Sequence, residues 1–256
     1  MNLSLLRKTA FVFAVFLLSV FLSSCVTPTV RPPSPHISQA RPYPAVPAPR
    51  GDIVHIVAPG ETLWRLSKMY DVSIQDISRA NRIDLNNPIL EKGQRVLIPH
   101  AAPVMPVISL YPSKKWQYII IHHSATDGGS SLSFDSTHET KGWGGVGYHF
   151  IINNGSKGKV DGQIEVSPRW LKQQEGAHCK AGGMNYKAIG ICLVGNFSNE
   201  TPTRRQMDSL VYLTNELRRY YKIPVDRVKG HGQVSGAKTE CPGRNFPWRE
   251  FKGRLR

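Results

Sequence analysis

Acidic side chains are scarce in this 256-residue chain: 18 Asp and Glu stand against 33 Lys and Arg, a formal net charge of +15. So basic a surface attracts polyanions, whether nucleic acid, anionic headgroups or a carboxylate-bearing polymer. Long basic runs are also missing. Lys and Arg gather only in pairs such as Arg204-Arg205 and Arg218-Arg219, which argues against a nucleic-acid partner. Cysteine is sparse, with four residues at 25, 179, 192 and 241. That excludes a disulfide-built scaffold and asks for a separate reason for each thiol. Cys192 lies in the apolar run from Ile189 to Val194 and is expected to be buried in a strand. Cys179 has no explanation at this level. The apolar run from Thr9 to Leu22 is shorter than the about 20 residues that a spanning helix needs. What remains is ordinary globular composition, 40% hydrophobic and 20% charged, in a length that suits two small domains.

That apolar run follows Arg7 and Lys8, the layout of a secretory signal. It ends in Leu22-Ser23-Ser24-Cys25, which resembles the lipobox of bacterial lipoproteins. The resemblance implies cleavage before Cys25, a lipid on its thiol and attachment to a membrane of the bacterial cell envelope. Val26 after the cysteine, rather than Asp, favours the outer membrane, facing the periplasm. Pro28, Pro32, Pro33, Pro35, Pro42, Pro44, Pro47 and Pro49 then mark an extended tether without a core of its own. A second, shorter proline-bearing stretch carries Pro99, Pro103, Pro106 and Pro112. The expected division is a signal over 1–24, lipidated Cys25 and tether over 25–52, a small domain over 53–99, a linker over 100–113 and a large domain over 114–252.

In the small domain, His55-Ile56-Val57 reads as a strand and Pro59-Gly60-Glu61 as a turn. Thr62 is a candidate N-cap, with Leu63, Leu66 and Met69 following at helical spacing. Ser73 opens a second helix with Ile74, Ile77 and Ala80 on one face, and Asn81 closes it. Arg95 to Pro99 forms the last strand, giving the order βααβ. The run from Val57 to Trp64, then Asn81, then Leu90 to Pro99, resembles a LysM domain. That family binds N-acetylglucosamine-containing glycans. Its groove would lie around Gly60-Glu61-Thr62 and Asn87-Pro88-Ile89, with Leu63 and Trp64 packed in the core.

The large domain opens with Trp116 to Ile121, β-branched and aromatic, ending abruptly in His122-His123. A polar pair at the end of a buried strand is where α/β folds place functional groups. Far downstream come Gly230-His231-Gly232 and Thr239-Glu240-Cys241-Pro242-Gly243. Two imidazoles and a thiolate are natural zinc ligands, and three protein ligands plus water form the catalytic arrangement. Nine histidines permit many such triples, so this set alone is weak.

Four blocks in order strengthen it: Ile120 to Thr126, Gly145 to Ile152, Ala188 to Gly195, and Gly230-His231 with Thr239 to Gly243. Together they resemble the type 2 N-acetylmuramoyl-L-alanine amidases, a family that includes phage T7 lysozyme and the peptidoglycan recognition proteins. The resemblance implies an α/β fold, a central mixed sheet flanked by helices. Thr201 to Tyr221 suits one helix, with Thr201 as cap, Pro202 in the first turn and Met207, Leu210, Val211, Thr214, Leu217 and Tyr221 along one face. It implies Zn²⁺ held by His122, His231 and Cys241, with His122 rather than His123 as the ligand. It makes Tyr148 the active-site tyrosine, Thr239 a second catalytic position and His178 a substrate contact. Some bacterial members carry Glu at the position of Cys192, so the general base is not identified. The implied reaction is hydrolysis of the amide between N-acetylmuramic acid and L-alanine in peptidoglycan. A non-catalytic wall-binding receptor or an envelope scaffold would have no need of the full ligand set.

Overall fold

The computed structural model describes residues 35–38 and 49–256. The signal 1–24, Cys25 and most of the tether lie outside the described residues. Among the described residues no helix is long and apolar enough to cross a membrane.

A short strand, β1 (His36–Ser38), precedes the small domain. That domain runs β2 (Gly51–Ile56), α1 (Leu63–Tyr70), α2 (Ile74–Asn81) and β3 (Arg95–Ala101), the two strands pairing antiparallel. Both expected caps form: Thr62 Oγ1 accepts from Arg65 N, and Ser73 Oγ from Asp76 N. Asn81 does more than close α2. Its amide donates to Ile77 O and Leu97 O and accepts from Leu97 N, pinning the helix to β3. One expectation is overturned. Leu63 is 3% exposed and in the core, but Trp64 is 41% exposed. Leu63, Leu66, Met69 and Tyr70 occupy the inward face of α1, and Trp64 lies about 100° round the helix from Leu63.

The stretch 100–113 is not a free linker. It holds β4 (Ile108–Leu110), which pairs antiparallel with β1. Residues 36–38 therefore belong to the folded body rather than the tether. Val107 is buried in the core of the small domain, while Ile108 and Leu110 are buried in that of the large one. Consecutive residues thus serve two cores, which leaves the connection no slack.

The large domain continues with β5 (Tyr118–His123), α3 (Ser131–Thr140), β6 (Phe150–Asn154), β7 (Asp161–Val166), α4 (Pro168–Leu171), α5 (Met184–Lys187), β8 (Ala188–Leu193), α6 (Arg204–Tyr221), β9 (Val228–Gly230) and α7 (Trp248–Gly253). Its five-stranded sheet has the order β7-β6-β8-β5-β9. Only the β6–β7 pair is antiparallel, so the sheet is mixed. Helix α6 starts later than Thr201. Thr203 is the cap, because Thr203 and Gln206 make a reciprocal capping box. Met207, Leu210, Leu213 and Leu217 of α6 then cover Ile119, Ile121, Phe150, Ile189 and Ile191 on one face of the sheet.

Candidate functional site

Period-two alternation gives the central sheet two unlike faces. On β5, Ile119 and Ile121 enter the core under α6, whereas Ile120 belongs to a separate cluster on the opposite side. His122 follows Ile120 onto that side and is buried. His123 alternates back, where its Nδ1 accepts from Phe197 N at 3.0 Å. On the neighbouring strand β9, Gly230 is in register with Ile121, so His231 emerges beside His122. Cys241 arrives by a loop folded tightly on itself. Gly232 N–H donates to Cys241 O at 2.7 Å, and a Cβ on Gly232 would lie 2.4 Å from Thr239 O. Only glycine allows that approach.

The result is a cluster in which donor atoms of His122, His231 and Cys241 lie within 4.8 Å of one another. Cys241 Sγ stands 3.6 Å from His122 Nδ1. Tetrahedral zinc, with Zn–S about 2.3 Å and Zn–N about 2.0 Å, calls for roughly 3.5 Å between such a pair. The spacing, the two imidazoles and the soft sulfur fit that ion.

His178 stands behind the cluster rather than on its open side. It is buried, and both ring nitrogens are used within the protein. Nε2 donates to Ala188 O at 3.3 Å, so Nδ1 must accept, and its partner is His122 Nε2 at 3.0 Å. His122 then carries its proton on Nε2 and turns the Nδ1 lone pair toward Cys241. That is the tautomer a metal ligand needs, held by an outer partner. The geometry departs from the expected substrate contact, because no polar atom of His178 is left for substrate. Gly190 makes room for it: a Cβ there would meet the His178 ring at 2.5 Å.

Burial keeps the pocket uncharged. It holds His178 down to about 3. Burial, and then the neighbouring histidines, put His122 well below the usual imidazole value. Burial lowers His231 too. Burial pushes the Cys241 thiol up to about 12, against the lowering effect of the His123 N–H, which donates to Sγ at 3.4 Å. A cation entering here meets neutral imidazoles, each with a free ring lone pair, and displaces only the thiol's proton.

Tyr148 packs beside the cluster, its ring tilted against that of His122 at a centroid distance of 5.2 Å and edge-on to that of His138 at 5.6 Å. Burial first, then the nearby thiols of Cys192 and Cys241, hold its phenol well above its ordinary value. It therefore remains an O–H donor at neutral pH. Cys192 is fully buried as expected, hydrogen-bonded to Tyr148, and pushed up well above the usual thiol range by burial. It is a neutral thiol and no proton acceptor near pH 7. Thr239 is exposed at the rim; its Oγ1 accepts from Cys241 N at 3.2 Å, which leaves the hydroxyl proton free. Cys179 is buried with Ile120, Met184, Ala188 and Val234 as a small apolar filler. Cys179, Cys192 and Cys241 are all free thiols.

Sequence reasoning passed over several residues. His138 on α3 accepts from Gly147 N at 3.0 Å and braces Tyr148. His149 accepts from Gly190 N at 2.9 Å, so it holds the strand beneath His178. Arg169 donates to Val146 O, Glu175 O and Trp143 O, tying down the segment before Tyr148. Of these only His149 lies inside a quoted block; His138 and Arg169 carried no signal in the sequence.

The family profile for N-acetylmuramoyl-L-alanine amidase matches residues 112–244, just over half of the chain. The chain belongs to that family. The LysM domain profile matches residues 55–99. Similar proteins include the endolysin of Enterobacteria phage T3, 33% identical over 148 residues, covering 54% of this chain and 87% of that protein. Peptidoglycan-recognition protein SC2 of Drosophila melanogaster is 30% identical over 145 residues, covering 53% of this chain and 72% of that one. Among solved structures, N-acetylmuramoyl-L-alanine amidase LysC from Clostridium intestinale is 35% identical, covering 56% of this chain and 90% of that one, with a TM-score of 0.47. The amidase domain is thus a hydrolase domain of the peptidoglycan amidase family, with a LysM domain before it.

Proposed function

We propose that the chain is a zinc-dependent amidase that cleaves the bond between N-acetylmuramic acid and L-alanine of peptidoglycan. The observation that carries this is the convergence of His122, His231 and Cys241 on one point, with His178 setting the His122 tautomer. A zinc ion held there supplies an activated water at neutral pH and polarises the scissile carbonyl. The chain's own residues do the rest. The Tyr148 O–H turns from Cys192 to donate to the carbonyl oxygen as negative charge gathers on it, and the free proton of Thr239 is available to the same oxygen from the rim. His178 and the His123 N–H hold His122 and the Cys241 sulfur in place, so these two need no reorganisation during the reaction. The LysM domain binds the glycan part of the polymer. Lipid on Cys25 keeps the enzyme at the bacterial envelope, on the outer membrane facing the periplasm, and its net basic surface suits a wall rich in stem-peptide carboxylates.

The test is release of free stem peptides from purified peptidoglycan by the wild type, with and without a chelator, beside Cys241→Ala. Release that stops in both controls supports the enzyme and its metal together. Wall binding without any release would move the protein to the receptor or scaffold class.

A further inference from the structure

The LysM domain does not hang from the amidase domain by a loose linker. Its second-loop residue Lys92 reaches across to helix α3, with Nζ 3.0 Å from Asp135 Oδ2 and 3.1 Å from Glu139 Oε1. Gly93 faces Leu132 of the same helix, and Gly60 of the first loop faces Pro168 and Leu171 of α4. Deeper in the seam, Lys159 of the amidase domain donates to Ile56 O of the LysM domain at 3.1 Å and pairs with buried Glu165. Val107 and Ile108 sit in the two separate cores, so the connection between the domains is itself packed.

Helix α3 has a second face. Phe134 and His138 pack edge-on against Tyr148, at ring-centroid distances of 6.5 and 5.6 Å. One carboxylate joins the two sides. Asp135 Oδ2 meets Lys92, and Asp135 Oδ1 accepts from Val146 N, two residues before Tyr148, at 3.2 Å. The loop that precedes Lys92, Asn87 to Ile89, is exposed, and Ile89 is 70% exposed. The exposed loop of the expected glycan groove, Asn87 to Ile89, is therefore one helix away from the candidate catalytic tyrosine, while the other loop, Gly60 and buried Glu61, packs towards α4.

We propose that the LysM domain is a fixed extension of the cleft wall, clamped to α3 by Lys92, and that Lys92 thereby sets a preference for polymeric glycan over short fragments. This rests on the amidase function proposed above. A strand held by a rigidly placed module reaches the cleft at one set position. A fragment too short to span both sites gains nothing from the clamp. A module swinging on a flexible linker would supply only raised local concentration, independent of Lys92.

The experiment compares the full chain in mild detergent with Lys92→Glu and with Lys92→Glu/Glu139→Lys. Each is assayed on insoluble peptidoglycan and on a soluble disaccharide-peptide. Lys92→Glu faces Asp135 and Glu139 with like charge and opens the clamp. The expected result is a KM on the polymer raised roughly tenfold, with turnover on the soluble fragment unchanged. Amide exchange should rise over residues 104–111 and α3. The charge-swapped double variant should recover part of the polymer KM, because it restores the pair with position 139 while Asp135 still repels the new carboxylate. Three results would overturn the proposal: an unchanged polymer KM, an equal loss on both substrates, or a double variant as poor as the single one, which would put Lys92 on the glycan itself. Cleavage of the soluble fragment by the wild type tests the amidase function separately. A wild type that cleaves neither substrate sinks that function and the clamp with it.

Discussion

Among the described residues, two buried polar clusters are built on opposite plans. At the end of β5 and β9 the buried groups are His122, His178, His149, Cys192 and Cys241, with Tyr148 partly buried beside them and no charged partner among them. Between the domains the buried charged groups are Glu61, Arg65, Lys159 and Glu165; Lys159 pairs with Glu165 at 3.1 Å, and His55 Nε2 lies 2.7 Å from Glu61 Oε2. The seam is organised round an ion pair within the protein, Lys159 with Glu165. The pocket is arranged as a chain of neutral hydrogen bonds that ends in an unprotonated Nδ1 beside a sulfur. A buried group left with a directed lone pair is poised for an external ligand, whereas a buried ion with its counter-ion is held for structure.

The sharpest break of that comparison is removal of the sulfur. Cys241→Ala should lose stoichiometric zinc, measured by metal analysis, and essentially all peptide release, while the domain stays folded. A seam charge should behave the other way. Lys159→Ala leaves Glu165 buried without its ion partner and should cost about 3 kcal/mol of stability in urea denaturation, at the low end for broken buried pairs because Arg65 lies close by. Its zinc content should not change. If Lys159→Ala instead lost zinc and kept its stability, the division between the two clusters would be wrong.

Within the pocket the effects should grade by distance from the reacting oxygen. Tyr148→Phe keeps the ring stack but removes the donor, and should lower turnover about 10²–10³-fold with zinc content unchanged. A smaller effect is expected one layer back. His178→Ala should weaken zinc binding about 10–100-fold in competition with a chelator, because His122 would no longer be held in one tautomer. His178→Asn, which can accept from His122 Nε2–H, should recover part of that affinity. An unaffected zinc affinity in His178→Ala would return this residue to the substrate side.

Much of the plan was legible in one dimension. The βααβ order of the LysM domain followed from its caps and helical spacing, and both Thr62 and Ser73 cap where expected. The buried strand ending in His122 followed from its β-branched run. Local signals misled where two similar ones competed. Thr201 and Thr203 both precede α6, and only the second has Gln206 three residues on to complete the box. Trp64 is large and aromatic, yet helix geometry, rather than residue type, turned it to solvent. The stretch 100–113 carries prolines, and composition could not show that Ile108 and Leu110 would find cores to enter.

The sequence by itself determined what depends on neighbours along the chain: the alternation that separates Ile121 from His122, the caps, and the identity of the soft and imidazole donors. Tertiary structure alone decided what depends on distant atoms meeting. His122 and His178 are far apart in sequence, and their bond exists only because Gly190 leaves room on the adjoining strand. The same holds for Lys92 and α3. A charged side chain carries no mark of which opposite charge it will find, because that is settled by the packing of whole domains and not by any local propensity.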